Sequence, residues 1–153
     1  MTRIHHSAIC TRDMEGSLRF WRDGLGFVVQ MDERFEGDWP ALFGAATDHL
    51  HSVFLGHPGD LEGGIVELVE FAGMPEGDPG AAAPRPGFFL LSLYADLDAT
   101  VARLAELGLG GEPRRIEVAG GVQMGVVRDP NGVLVELIDP RARGNLDRMT
   151  SAP

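Results

Sequence analysis

The feature that most constrains this chain is a repeated order of elements. Residues 4–71 run strand, helix and hairpin to Ile65-Val66-Glu67-Leu68-Val69-Glu70-Phe71, and residues 87–139 run strand, helix and hairpin to Val133-Leu134-Val135-Glu136-Leu137-Ile138-Asp139. In the first copy, residues 4–11 alternate polar and apolar as a strand does, and Asp13 caps a helix with Met14, Leu18, Trp21 and Leu25 on one face. Gly24 and Gly26 stop it. Residues 27–31 then begin three strands that end at Phe71, interrupted by a helix or loop over residues 38–48. In the second copy, residues 88–94 read as a strand, and Asp96 caps a helix with Leu97, Val101, Leu104 and Leu107 on one face, ended by Gly108 and Gly110. Strands near residues 115–118, 122–127 and 133–138 follow. The last two are joined by Asp129-Pro130-Asn131-Gly132, where Pro presets φ and Gly tolerates positive φ. The expected fold class is α+β, with two tandem βαβββ units.

These boundaries give one domain over residues 1–140, with repeat one at 3–72, a Gly-, Pro- and Ala-rich linker at 73–87 and repeat two at 87–140. Residues 141–153 form a peripheral tail. At 153 residues, with 44% hydrophobic and 24% charged content, the chain is long and apolar enough to bury a core. The net charge of -10 would repel polyanions, so nucleic acid and anionic membrane surfaces are not expected partners. No stretch reaches the roughly 18 apolar residues of a membrane span, and the N-terminus does not read as a signal peptide. The expected location is cytoplasmic. The single Cys10 reads as a small packed side chain, a nucleophile being the alternative.

The chemistry is concentrated in two carboxylates. Glu67 and Glu136 each stand in a strand that is apolar on both faces, where an unpaired carboxylate costs several kcal/mol or more. Each needs an arginine (Arg114 or Arg115 are candidates), an exposed sheet edge, or a cation. His6 opens the first copy, and of the adjacent pair His5 and His6 one must face the opposite side from the other. Where the second copy would place its own His stand Phe88 and Phe89. Spacing supports the repeat: 61 residues separate His6 from Glu67 and 48 separate Phe88 from Glu136, a difference close to the inserted segment 38–48.

His6-Ser7-Ala8-Ile9, Asp13-Met14-Glu15, Phe20-Trp21, Leu25-Gly26-Phe27 and Asp129-Pro130-Asn131-Gly132 leading to Val135-Glu136-Leu137 together resemble the vicinal oxygen chelate superfamily. It includes glyoxalase I, extradiol dioxygenases and bleomycin-resistance proteins. The resemblance covers residues 3–140. It implies a cupped mixed sheet around a cavity, with metal ligands on the first and last strands of each unit. By position these are His6, Glu67 and Glu136, Glu70 being the nearest rival to Glu67. At the remaining position, Gly87-Phe88-Phe89-Leu90 offers phenyl rings, which cannot ligate, so the resemblance implies three protein ligands rather than four. One imidazole and two carboxylates suit a divalent ion (Fe, Mn, Co, Ni, Mg or Zn). His49 and His51 are candidates for a further imidazole, a surface or structural role being the alternative.

The resemblance further implies an enzyme that acts on a small oxygenated metabolite by lyase, isomerase or ring-cleaving chemistry through a metal-stabilised oxyanion, with Glu67 and Glu136 as proton-moving catalytic groups. Phe88, Phe89, Trp39, Phe35 and Met124 are expected at the substrate pocket. The competing expectation is a metal-free protein that binds a drug or hydrophobic metabolite, as bleomycin-resistance members do. A homodimer is expected, its sites completed within one chain or by exchanged halves.

Overall fold

A computed structural model of the chain describes residues 4–60, 63–76, 84, 86–118 and 122–142. Residues 143–153 of the expected tail over 141–153, and much of the linker over 73–87, lie outside the described residues. The chain divides into two compact units, Met1–Pro79 and Gly80–Pro153.

The first unit runs β1 (His6–Cys10), α1 (Met14–Leu18), a π-helical turn (Arg19–Gly24), β2 (Val28–Glu36), α2 (Trp39–Phe43), β3 (His49–Gly56) and β4 (Ile65–Phe71). Its sheet has the order β1-β4-β3-β2. β1 and β4 are parallel and the other pairs antiparallel, because α1 and its π turn carry the chain across the sheet before two hairpins bring it back. The second unit repeats this as β5 (Leu91–Tyr94), α3 (Leu97–Glu106), β6 (Gly110–Val118), β7 (Val122–Arg128) and β8 (Leu134–Ile138), in the order β5-β8-β7-β6. Two tandem βαβββ units are therefore present.

Asp13, Asp38 and Asp96 each accept a backbone N–H at a helix start, from Gly16, Ala41 and Ala99. The first helix departs from the expected stripe. The π turn changes the residue spacing, so Ser17, Leu18, Phe20, Trp21 and Gly24 are buried while Met14 and Leu25 are only half-buried.

In each unit one sheet face makes the core. Ile9, Val53, Leu55, Val66 and Leu68 share that face in the first unit, by alternation and register, and Phe20 and Trp21 are fully buried with them. In the second unit Val127, Val135 and Leu137 are buried together with Leu97 and Leu104 of α3. The Asp129 turn forms as expected. Its 4% exposed carboxylate accepts from the backbone N–H of Asn131 and Val133, and Gly132 takes φ 84°.

Register corrects one reading of the repeat. Glu67 stands opposite Ala8, and Glu136 opposite Ser92. His6 lies two residues before Ala8, so its counterpart is Leu90, two residues before Ser92. By that count neither Phe88 nor Phe89 holds the position; they stand one and two residues further from β5, 50% exposed at Phe89 and 72% at Phe88. The conclusion that no His stands there is unchanged.

Candidate functional site

The other face of the first sheet carries the polar group of interest. Alternation and register place His6, Ala8 and Cys10 of β1, Glu67, Val69 and Phe71 of β4, Leu50, Ser52 and Phe54 of β3, and Met31 and Phe35 of β2 on it. They line a cavity of about 840 Å³, a volume typical of small-molecule sites. Trp39 and Phe43 of α2 complete its aromatic wall, their rings stacked 5.8 Å apart at 7°.

At the polar end, Glu67 is 13% exposed and held at both oxygens. His6 Nε2 lies 3.0 Å from Oε2, and the buried Ser52 hydroxyl donates to Oε1 at 2.6 Å. The other nitrogen of His6, Nδ1, is 2.8 Å from His5 Nδ1, so one ring donates and the other accepts. His5 precedes β1 and escapes strand alternation. Both imidazoles therefore lie beside Phe54, at 5.9 and 5.2 Å, rather than on opposite faces. A chain of polar contacts runs His5, His6, Glu67, Ser52.

This geometry fits a divalent ion at two positions. Bonds of about 2.1 Å to an imidazole nitrogen and a carboxylate oxygen, meeting near a right angle, put the two atoms about 3.0 Å apart. The His6–Glu67 separation has that value, so the pair suits adjacent ligands as well as a direct hydrogen bond. Ser52 would then orient the ligand carboxylate from behind. No group of three or more His, Cys, Asp or Glu side chains arranged for a metal occurs among the described residues.

The alternatives named from sequence fall on the other face. Glu70 is three residues from Glu67 and so points away from it. His51 pairs with Glu70 in register, and its Nε2 is 2.7 Å from Asp32 Oδ1. His49 is largely exposed beside Asp48. None of the three shares the Glu67 face. Cys10 departs from its packed expectation: it is exposed toward the cavity, and burial first, then the charge of Glu67, push its thiol pKa up. A raised pKa disfavours the thiolate that nucleophilic attack requires.

In the second unit, Glu136 is half-buried and accepts from the Ser92 hydroxyl at 2.6 Å. Met124 shares its sheet face, one register pair along. Phe35 and Trp39 line the first unit's cavity, whereas Phe88, Phe89 and Met124 belong to the second unit. Neither glutamate pairs with an arginine among the described residues; Arg115 bonds to Asp98 instead. Sequence reasoning missed Ser52, Ser92, Phe54 and Phe43. Ser52 had left a sign, as a lone hydroxyl within Leu50-His51-Ser52-Val53-Phe54-Leu55.

Paired βαβββ units with a polar cluster on the open sheet face define a class of proteins, and comparison with known proteins agrees. Residues 3–137 match the model of the Glyoxalase/Bleomycin resistance protein/Dioxygenase superfamily, and the chain belongs to that family. It is 34% identical over 149 residues to the Lactoylglutathione lyase-like protein terB of Aspergillus terreus, covering 88% of this chain and 74% of that protein. A Probable lactoylglutathione lyase of Vibrio parahaemolyticus is 24% identical, covering 89% of each. Among solved structures, a glyoxalase family protein of Bacillus cereus superposes with a TM-score of 0.73 at 17% identity, over 91% of this chain and 94% of that one. Glyoxalase I of Leishmania major superposes at 0.68 with 20% identity, over 99% and 100%. These structural likenesses are likenesses of fold. No helix among the described residues is long and apolar enough to cross a membrane.

Proposed function

We propose that this chain is a metal-dependent enzyme of the superfamily that acts on a small oxygenated metabolite by moving a proton at a carbon beside a carbonyl or hydroxyl group. The observation that carries the reading is the His6–Glu67 pair, two donor atoms 3.0 Å apart at the polar end of an otherwise apolar cavity. His6 and Glu67 are the proposed ligands in the first unit, and Glu136, the register equivalent of Glu67, is the proposed ligand in the second. A homodimer is the proposed assembly. A divalent ion held there would supply Lewis-acid stabilisation of a developing oxyanion.

The remaining roles fall to the chain's own groups. Ser52 holds Oε1 of Glu67, so Oε2 carries both proposed duties: it would serve as a ligand atom in the resting site and, when not so engaged, as the atom that receives and returns the proton. His5 fixes the ring of His6 through its Nδ1, so that Nε2 faces the carboxylate. Phe54, in register with Glu67, and Val69, in register with Ser52, supply the apolar wall at this end. The relatives named for lactoylglutathione lyase activity support a reaction that begins with such a proton transfer.

The test is solvent exchange. Incubated in heavy water with a panel of α-hydroxyketones and glutathione–dicarbonyl adducts, the wild type is expected to incorporate deuterium at the carbon beside the carbonyl. Glu67→Gln is expected to slow this by about 100-fold or more. Exchange that persists undiminished in Glu67→Gln removes the proposed base.

A second reading, a metal-free binding protein, is favoured by one observation. His6 and Ser52 already compensate the Glu67 carboxylate without a cation. Ligand binding that survives complete chelation, with no exchange activity in metal-supplied protein, would select it.

A further inference from the structure

The cavity's lining bears on which kind of molecule enters it, and its described residues include no arginine or lysine. The described residues around it are aromatic, aliphatic or small, apart from His6, Cys10, Ser52 and Glu67. The chain has no lysine at all. None of the first unit's described arginines is in this lining: Arg19 and Arg22 lie on the π turn beside Asp23, while Arg12, which pairs with Glu76, and Arg34 line an adjoining hollow with Phe35, Leu50 and Phe71.

A glutathione conjugate carries two carboxylates and one ammonium group. Placing it here would set anionic groups against apolar walls and Glu67, in a protein of net charge -10. Anions lifted from water need cationic or N–H partners, and the described lining offers no arginine or lysine, its side-chain N–H donors being confined to His6 and the Trp39 indole.

The lining does offer uncovered ring surface. α2 has no buried residue, and Phe43 is 62% exposed and Phe35 41% exposed although both line the cavity. Trp39 stacks on Phe43, and Phe71 meets Phe43 edge-on with centroids 6.3 Å apart. These rings form one apolar wall, 29 residues or more from His6 in sequence yet on the same cavity. Rings of this kind stack on flat, uncharged groups.

We infer that the substrate of this site has an uncharged aromatic or alicyclic body, held by Phe35, Trp39, Phe43 and Phe71, with its oxygenated reacting end at His6 and Glu67, and that it is not a glutathione conjugate. This inference rests on the proposed function for the reacting end alone. The body-binding part stands on the cavity itself.

Isothermal titration calorimetry on the full chain, as purified, tests it with two probes. Benzoin is neutral, with two phenyl rings and adjacent hydroxyl and carbonyl oxygens; S-hexylglutathione is anionic. Benzoin is expected to bind about tenfold or more tighter than S-hexylglutathione. Phe43→Ala is expected to weaken benzoin about tenfold, and the exposure of Phe43 leaves its thermal midpoint near that of wild type. Equal or tighter binding of S-hexylglutathione, no binding of either probe, or a benzoin affinity indifferent to Phe43→Ala overturns the inference. The two ideas fail separately: benzoin binding without deuterium exchange sinks the enzyme reading alone, and exchange on glutathione adducts without benzoin binding sinks the substrate class alone.

Discussion

Ser52→Ala tests how the carboxylate of Glu67 is held. The substitution deletes the hydroxyl 2.6 Å from Oε1 and changes little else, since Ser52 is 1% exposed in the middle of β3. Hydrogen bonds to charged groups contribute about 1.5–3 kcal/mol, and water has little access to an oxygen on a side chain 13% exposed. The expected loss is about 2 kcal/mol of unfolding free energy. For a chain of this length that corresponds to a fall of roughly 4–8 °C in thermal midpoint. Ser92→Ala deletes a bond of the same length to Glu136, but that bond is open to solvent, so the expected loss is only about 0.5–1 kcal/mol. Urea unfolding of both variants at pH 7 reads the difference. In a double-mutant cycle, Ser52→Ala should cost much less once Glu67 is replaced by Gln. Equal losses at Ser52 and Ser92, or a Ser52→Ala variant within about 0.5 kcal/mol of wild type, would refute the claim that burial gives the Ser52 bond its value.

Two further outcomes follow from the same structure. A methyl group at Gly125 would stand 2.6 Å from Leu97 Cδ1 and 3.3 Å from the Arg114 carbonyl oxygen, so Gly125→Ala is expected to destabilise by about 1–3 kcal/mol in urea unfolding; no measurable change would show that α3 shifts freely over its sheet. Alkylation of Cys10 by iodoacetamide at pH 8 is expected to be slower than that of a free thiol, because burial and Glu67 both raise its pKa. Glu67→Gln removes the second cause, so it should speed the reaction modestly and leave the remaining gap to burial; a rate unchanged or lowered in that variant would contradict the assigned influence of Glu67.

The repeat, the helix caps and the Asp129 turn were legible in the sequence because each is written in local chemistry. An aspartate before a helix, a Pro-Asn-Gly turn and a strand closing on a glutamate need no distant partner to be read. The rest depends on register. Alternation alone could assign Glu67 and Glu70 to opposite faces, but only the pairing of β5 with β8 shows that Leu90, not Phe88 or Phe89, stands in place of a second histidine. The parity argument for His5 and His6 failed because β1 begins at His6, two residues later than the pattern suggested, and leaves His5 outside the strand. The π turn moved the buried stripe of the first helix for a related reason, since a helical period cannot reveal where it changes. Ser52 and Ser92 were passed over because small hydroxyls carry no periodic signal. They stabilise equivalent glutamates from different strands, β3 in one unit and β5 in the other, because the position of Ser92 is Ala8 in the first unit.

The central proposal is that His6 and Glu67 are metal ligands on the open face of the first sheet and that Glu136 is the second unit's own ligand. Plasma mass spectrometry on protein purified without a metal-chelating tag, for wild type, Glu67→Ala and Glu136→Ala, tests it most directly. The account predicts about one divalent ion per chain in the wild type and near-background metal in both variants. Wild-type protein that stays metal-free after reconstitution, or variants that keep their metal, would contradict it.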